Sequence, residues 1–284
     1  FYLEAAQASS TRRAYLSDLR HFEGWGGSVP ALPDIVARYL ADHAGHLAVS
    51  TLKRRVAAIA WAHREVEIDD PTKAPMIRKL MRGIERHHLS AQKQAAPLLI
   101  GDLQAIERSL GNTQRDMRDR ALLTVGFFGG LRGAELLALR RNDVRRFDMR
   151  TELMIRRSKT DQSGRGRSIS IPKLEARLCP SVALARWLDE GDITQAWVFA
   201  GNARSDSPLS TRQLGRIIKR RVGQIGLDPS RYSTHSLRAG FVTSAATSEI
   251  DAGVVARQTG HRSMASMGRY VRPDAKSLSR LLDP

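Results

Sequence analysis

The chain has 284 residues, enough for one or two domains with sizeable cores. Its 46 Lys+Arg against 29 Asp+Glu leave a formal charge of +17, which points to a polyanionic partner and is no argument about fold. The one cysteine, Cys179, excludes an internal disulfide and fits a reducing compartment; no apolar run approaches the roughly 20 residues that span a bilayer, and no secretory leader is read.

The charge is uneven. Residues 1–90 hold 13 basic and 10 acidic residues (net +3), and residues 91–284 hold 33 and 19 (net +14). Arginine outnumbers lysine, which suits bidentate phosphate contacts, although a coding bias that turns surface lysine into arginine accounts for the ratio equally well.

In chain order, the first part reads as helical. Ser10 is a candidate cap for a helix with Tyr15, Leu19 and Phe22 at i, i+4, i+7, ended by Gly24, Gly26 and Gly27. A second helix is expected from Asp34, with Ile35, Val36, Tyr39 and Leu40 inward. Ser50 is the candidate cap of a third, which buries Leu52, Val56, Ile59 and His63 and carries Lys53, Arg54 and Arg55 on another face. Pro75 starts a fourth, burying Ile77, Leu80, Met81 and Ile84. Four or five such helices make a small bundle. Lys53, Arg54 and Arg55 are its candidate DNA-binding residues, and the competing reading is an ordinary solvated helix face. His87 and His88 lack cysteine or carboxylate partners and are expected in solvent. The polar, aperiodic stretch from His87 to Pro97 reads as a linker, placed at 89–97 between domains 1–88 and 98–284.

Beyond the linker, helices are expected from Asp102 to Leu110 and from Arg118 to Phe128. Thr151–Arg157 and Arg167–Ile171 alternate around Gly164 and Gly166, the pattern of a β-hairpin packed through Leu153, Ile155, Ile169 and Ile171. A helix around 182–188, a short strand Trp197–Phe199, a helix Thr211–Ile225 and short helices at 235–247, 250–258 and 263–271 complete a mainly α fold with a small β-hairpin in the second domain, an α+β class.

Six polar residues of this second part suit phosphodiester chemistry. Arg132 follows Gly129-Gly130-Leu131, a chain break that lets an arginine leave one helix and precede the next, and Glu135 can orient it. His235 and Arg238, in Thr-His-Ser-Leu-Arg-Ala-Gly, share a helix face and can address one phosphate, with Ala239-Gly240 allowing close packing. His261 follows Gly260 and precedes Tyr270 by nine residues, so a turn and a short helix can bring the two together. Lys159 sits near the hairpin tip, where it can reach into a groove and protonate a leaving oxygen. Singly, each is also what a basic surface, a hairpin tip or a packed helix carries. Jointly they provide charge for a pentacoordinate phosphorus, proton carriers and a nucleophile.

At these residues the chain resembles the tyrosine recombinases, the phage-integrase family, and Leu47–Leu52 with Leu278–Leu282 resemble the Cre-like branch. The resemblance implies a helical core-binding domain and a catalytic domain that form a C-shaped clamp on DNA. It implies that Arg132, Lys159, His235, Arg238 and His261 activate the scissile phosphate and that Tyr270 attacks it, leaving a 3′-phosphotyrosyl link and a free 5′-hydroxyl. Neither metal nor other cofactor is expected. The implied partners are double-stranded DNA with inverted-repeat sites and three further copies of the chain, as a homo-tetramer on two sites that exchanges strands through a Holliday junction and is monomeric when free. No membrane partner is expected, and the implied location is the cytoplasm, on the nucleoid. His261 stands where Cre carries tryptophan, and most of the family has histidine there. The resemblance also implies that the tail 274–284 serves a neighbouring protomer. The alternatives are a type IB topoisomerase, which shares the chemistry, and a non-catalytic DNA-binding regulator on the same fold.

Overall fold

In the computed structural model the chain divides into two compact units, residues 1–93 and 94–284. The residues described are 9–88, 94–156, 166–191, 193, 196–201 and 207–261. Lys159, Tyr270, the expected helix 263–271 and the tail 274–284 lie outside them.

The first unit is a bundle of α1 (Ser9–Trp25), α2 (Pro33–His43), α3 (Val49–Glu65) and α4 (Pro75–His87). Pro33 and Pro75 stand in the first turns of α2 and α4, where a missing N–H does no harm. Phe22, Tyr39, Leu40, Leu52, Ile59, Ile77 and Ile84 form the core. Ser50 is not a cap: α3 begins two residues earlier than that reading, with Ala48 at the N-cap. Arg55 also departs from the expected outer face. Residues 52, 55 and 59 lie three and four apart, so the arginine falls on the same stripe as Leu52 and Ile59. It is buried, 3.8 Å from the buried Asp18 carboxylate and 5.8 Å from the Tyr39 ring centre.

In the second unit α5 (Ile100–Ser109) and α6 (Gln114–Phe128) are followed by α7 (Gly133–Leu137). Asp102 lies in the first turn of α5, where its carboxylate accepts from the Leu99 N–H at 3.0 Å. Thr113 caps α6 through the Asp116 N–H. Residues Ala121 to Phe127 of α6 are all buried, as in a helix packed on every side. β1 (Val144–Arg146), β2 (Arg150–Ile155) and β3 (Arg167–Pro172) form an antiparallel sheet in the order β1-β2-β3. Leu153 pairs with Ile169 and Thr151 with Ile171, and Leu153, Ile155, Ile169 and Ile171 are buried as the alternation predicts. α8 (Pro180–Glu190), α9 (Thr211–Gln224), α10 (Ser236–Thr247) and α11 (Ala252–Thr259) complete the unit. The expected strand Trp197–Phe199 is reduced to single bridges, Arg140 with Trp197 and Ala200 with Pro208. Val198 and Phe199 are consecutive and both fully buried, so they lack the period of a strand face.

The C-terminal half of the expected linker belongs to this second unit. Ala96 N–H donates to Arg231 O and Leu98 N–H to Ser236 O. A Cβ at residue 240 would run into the Leu98 carbonyl, so the Ala239-Gly240 step lets the chain lie directly on α10.

Candidate active site

Arg132 is the N-cap of α7, at the end of the turn that closes α6. Gly130 holds that turn with φ +56°, and a Cβ there would sit 2.7 Å from Thr259 Cγ2. Glu135, three residues on, is buried and serves Arg132 twice, accepting from its backbone N–H at 3.0 Å and from its Nη1 at 2.8 Å. The Arg132 side chain remains 25% exposed, so its guanidinium is anchored on one side and open on another.

Arg238 comes from α10 and is 1% exposed. Its Nη1 donates to Gly130 O at 2.8 Å and Thr259 O at 2.5 Å, and its Nη2 donates to His261 Nε2 at 2.9 Å. These three partners are neutral. They orient the guanidinium.

His235 is the N-cap of α10, with its backbone N–H on Ser233 Oγ at 3.1 Å. It is exposed by surface area, yet protein around the ring removes water. That desolvation, then Arg238 and Arg132, lowers its pKa. His261 follows the left-handed Gly260 that ends α11. Burial first, then the charges of Arg238, Arg132, His235 and Arg167, lower its pKa to about 4. Both rings are therefore neutral near pH 7.

Four of the six residues marked in the sequence thus share one electrostatic site; Lys159 and Tyr270 lie outside the described residues. Lys53, Arg54 and Arg55 belong to the other unit. There Lys53 pairs with Glu85 at 3.1 Å, and Arg54 donates to both Asp18 oxygens at 2.7 and 2.9 Å.

Arg167, at the start of β3, was not singled out in the sequence. Its Nη2 donates to the second Glu135 oxygen at 3.0 Å and its Nη1 to Gln258 O at 2.7 Å. Burial, opposed by Glu135, pushes its pKa down. The Gln258 side chain in turn donates to Phe128 O and Ser170 O. Arg167 and Gln258 so tie the strand that returns from the Lys159 hairpin to Glu135 and to the turn before His261. A strand-starting arginine carries no sign of this in the sequence, because its acceptors come from two segments distant in the chain.

Residues 102–277 match the phage integrase family. The integrase/recombinase XerD homologue of Selenomonas ruminantium is 33% identical over 95% of this chain and 83% of its own. Among solved structures, the XerH site-specific recombinase bound to its difH substrate superposes with a TM-score of 0.63 at 20% identity, over 89% of this chain and 70% of that one. A lambda integrase tetramer bound to a Holliday junction does so with 0.66 at 16%, over 94% and 72%. These likenesses concern the family and its fold; the Cre-like resemblance is a narrower matter that they do not address. The chain belongs to the phage integrase family and is a tyrosine recombinase, a site-specific DNA recombinase that works through a phosphotyrosyl intermediate.

Proposed function

We propose that Tyr270 is the nucleophile of this recombinase and that Arg132 and Arg238 hold the nonbridging oxygens of the scissile phosphate. The Tyr270 oxygen attacks phosphorus, the bond to the 5′ oxygen breaks, and Lys159 protonates the departing oxygen. A tyrosine with a reference pKa near 10 needs a base, and neutral His235 can take its proton. His261 holds Arg238. Reversal by a 5′-hydroxyl from a second duplex restores a phosphodiester, so bond energy is conserved and neither ATP nor metal takes part. The observation that carries this reading is the convergence of Arg132, His235, Arg238 and His261 on one site, with Arg238 buried and fixed by Gly130 O, Thr259 O and His261 Nε2 and Arg132 still 25% exposed. Such fixed charge stabilises a pentacoordinate phosphorus more than its ground state.

The helical unit binds the duplex through α4, whose outward side chains Arg78, Lys79, Arg82 and Arg86 are exposed. Arg54 and Arg55, held by Asp18, are less suited to that role than the sequence suggested. Four protomers on two inverted-repeat sites would exchange strands, a reading supported by the tetrameric lambda integrase on its junction. The same reading places the protein on the nucleoid in the cytoplasm; among the described residues no helix is long and apolar enough to cross a membrane.

The test is covalent capture. Random-sequence duplexes are incubated with the protein in EDTA, denatured in detergent, and the protein-linked DNA is sequenced. The expected result is a tyrosine-linked adduct on DNA enriched in an inverted repeat, and none with Tyr270→Phe. An adduct that survives Tyr270→Phe would move the nucleophile elsewhere. Adducts without any preferred sequence, with relaxation of arbitrary supercoiled plasmid, would favour the topoisomerase alternative. An intact chain that binds the repeat without any adduct would favour the regulator.

A further inference from the structure

The His261 ring stands between two groups whose hydrogen-bonding roles follow from chemistry alone. A guanidinium only donates. Arg238 Nη2 lies 2.9 Å from His261 Nε2, so that nitrogen accepts and carries no proton. In the neutral ring the proton is then on Nδ1, which lies 2.7 Å from Thr259 Oγ1. Thr259 Oγ1 therefore accepts, and its own hydrogen goes to Val255 O, 2.7 Å away and one helical turn back. The opposite arrangement, with the threonine donating to Nδ1, puts the imidazole N–H on Nε2 against the guanidinium N–H. Only one direction of the chain is consistent.

Thr259 is fully buried. Its carbonyl also accepts from Arg238 Nη1 at 2.5 Å, so one residue supports the guanidinium from two sides, once by main chain and once through the imidazole.

We propose that Thr259 is a positioning residue of this recombinase, whose hydroxyl fixes His261 as the Nδ1–H tautomer and, through the Nε2 lone pair so presented, fixes the Arg238 guanidinium. The assignment goes beyond the six residues given roles above. Its catalytic consequence rests on the grip of Arg238 on phosphate, whereas the tautomer does not.

Valine at 259 keeps the threonine's shape and a methyl group beside Gly130 while removing the acceptor. The Nδ1–H is then left facing carbon, and the alternative tautomer is opposed by Arg238. Serine keeps the acceptor. The experiment has two arms. In the first, the intact chain labelled with 15N-histidine is observed by long-range proton–nitrogen correlation at pH 7, with His261→Gln to assign the ring. Wild type and Thr259→Ser should show one tautomer, with the proton on Nδ1; Thr259→Val should lose that single pattern. A proton on Nε2 in wild type, or an unchanged ring in Thr259→Val, overturns the proposal without touching the recombination reading. In the second arm, adduct formation on the captured duplex should slow about tenfold in Thr259→Val, equivalent to about 1.4 kcal/mol at the transition state, with duplex binding retained, and Thr259→Ser should restore most of the rate. Equal slowing in both variants would overturn the positioning role.

Discussion

Among the described residues of the second unit two arginines are almost wholly buried, and they are held in different ways. Arg221 of α9 is 4% exposed and ends on carboxylates: Nε donates to Asp119 at 2.8 Å and Nη2 to Asp116 at 2.7 Å. Asp119 is itself fully buried and also receives Arg118 and Arg220. Arg238, equally buried, ends on two carbonyls and an imidazole. In the first case opposite charges cancel and the result is a brace between α6 and α9. In the second, acceptors on three segments orient a guanidinium that, on the function proposed above, meets the scissile phosphate. The partner's charge, more than the depth of burial, distinguishes a structural arginine from one poised for phosphate.

The contrast is broken most severely at Arg238. Arg238→Gln should slow adduct formation by about two to three orders of magnitude, the range seen when a fixed transition-state donor is lost. Its urea midpoint should fall only modestly, because the glutamine amide still offers N–H donors to the buried carbonyls that Arg238 serves. Arg221→Met should do the reverse. Removing one side of a buried ion pair costs about 3–5 kcal/mol, near the lower end here because Arg118 and Arg220 remain on Asp119. The urea midpoint should fall accordingly, while adduct formation per folded molecule is preserved.

The pH dependence sharpens the same contrast. His261 has a folded pKa of about 4 against 6.5 for an ordinary histidine. Between those values the unfolded chain binds the proton that the folded chain refuses, so stability is full above about pH 6.5 and falls as pH drops towards 4. His235 acts in the same direction. Thermal unfolding followed across that window should show a shallower acid loss in His261→Gln than in wild type. An identical slope would mean that neither burial nor the arginines hold the ring's pKa down. The smallest effects belong to α4: Arg78→Ala and Arg82→Ala should each reduce the slope of log affinity against log salt by about one unit. Cleavage of saturated DNA should be unaffected.

Much of this was legible in the chain. The Leu153, Ile155, Ile169 and Ile171 alternation located the hairpin and its buried face, and Pro75 located the start of α4. The spacing of His235 and Arg238 was read as one helix face, and the structure has them at the N-cap and in the first turn of α10. β1 was not legible, since Val144-Arg145-Arg146 offers one apolar residue and pairs only because β2 is beside it. Arg55 was read onto the wrong face because a run of three cations looks solvated until the positions of Leu52 and Ile59 are counted against it. Arg167 and Thr259 were beyond a linear reading. Their importance lies in acceptors more than thirty residues away for the one and in the direction of a single hydroxyl for the other, and neither leaves a pattern in spacing.

The central proposal, that Arg238 meets the charge of the scissile phosphate, is tested most directly by taking charge from the phosphate instead. The ratio of wild-type to Arg238→Gln adduct-formation rates would be measured on the captured duplex, once with the native scissile phosphate and once with an uncharged methylphosphonate in its place. With no anionic oxygen to neutralise, the variant should recover most of its deficit, and the ratio should collapse towards one. A ratio that stays as large on methylphosphonate as on phosphate would contradict the account and leave Arg238 as one more brace in the fold.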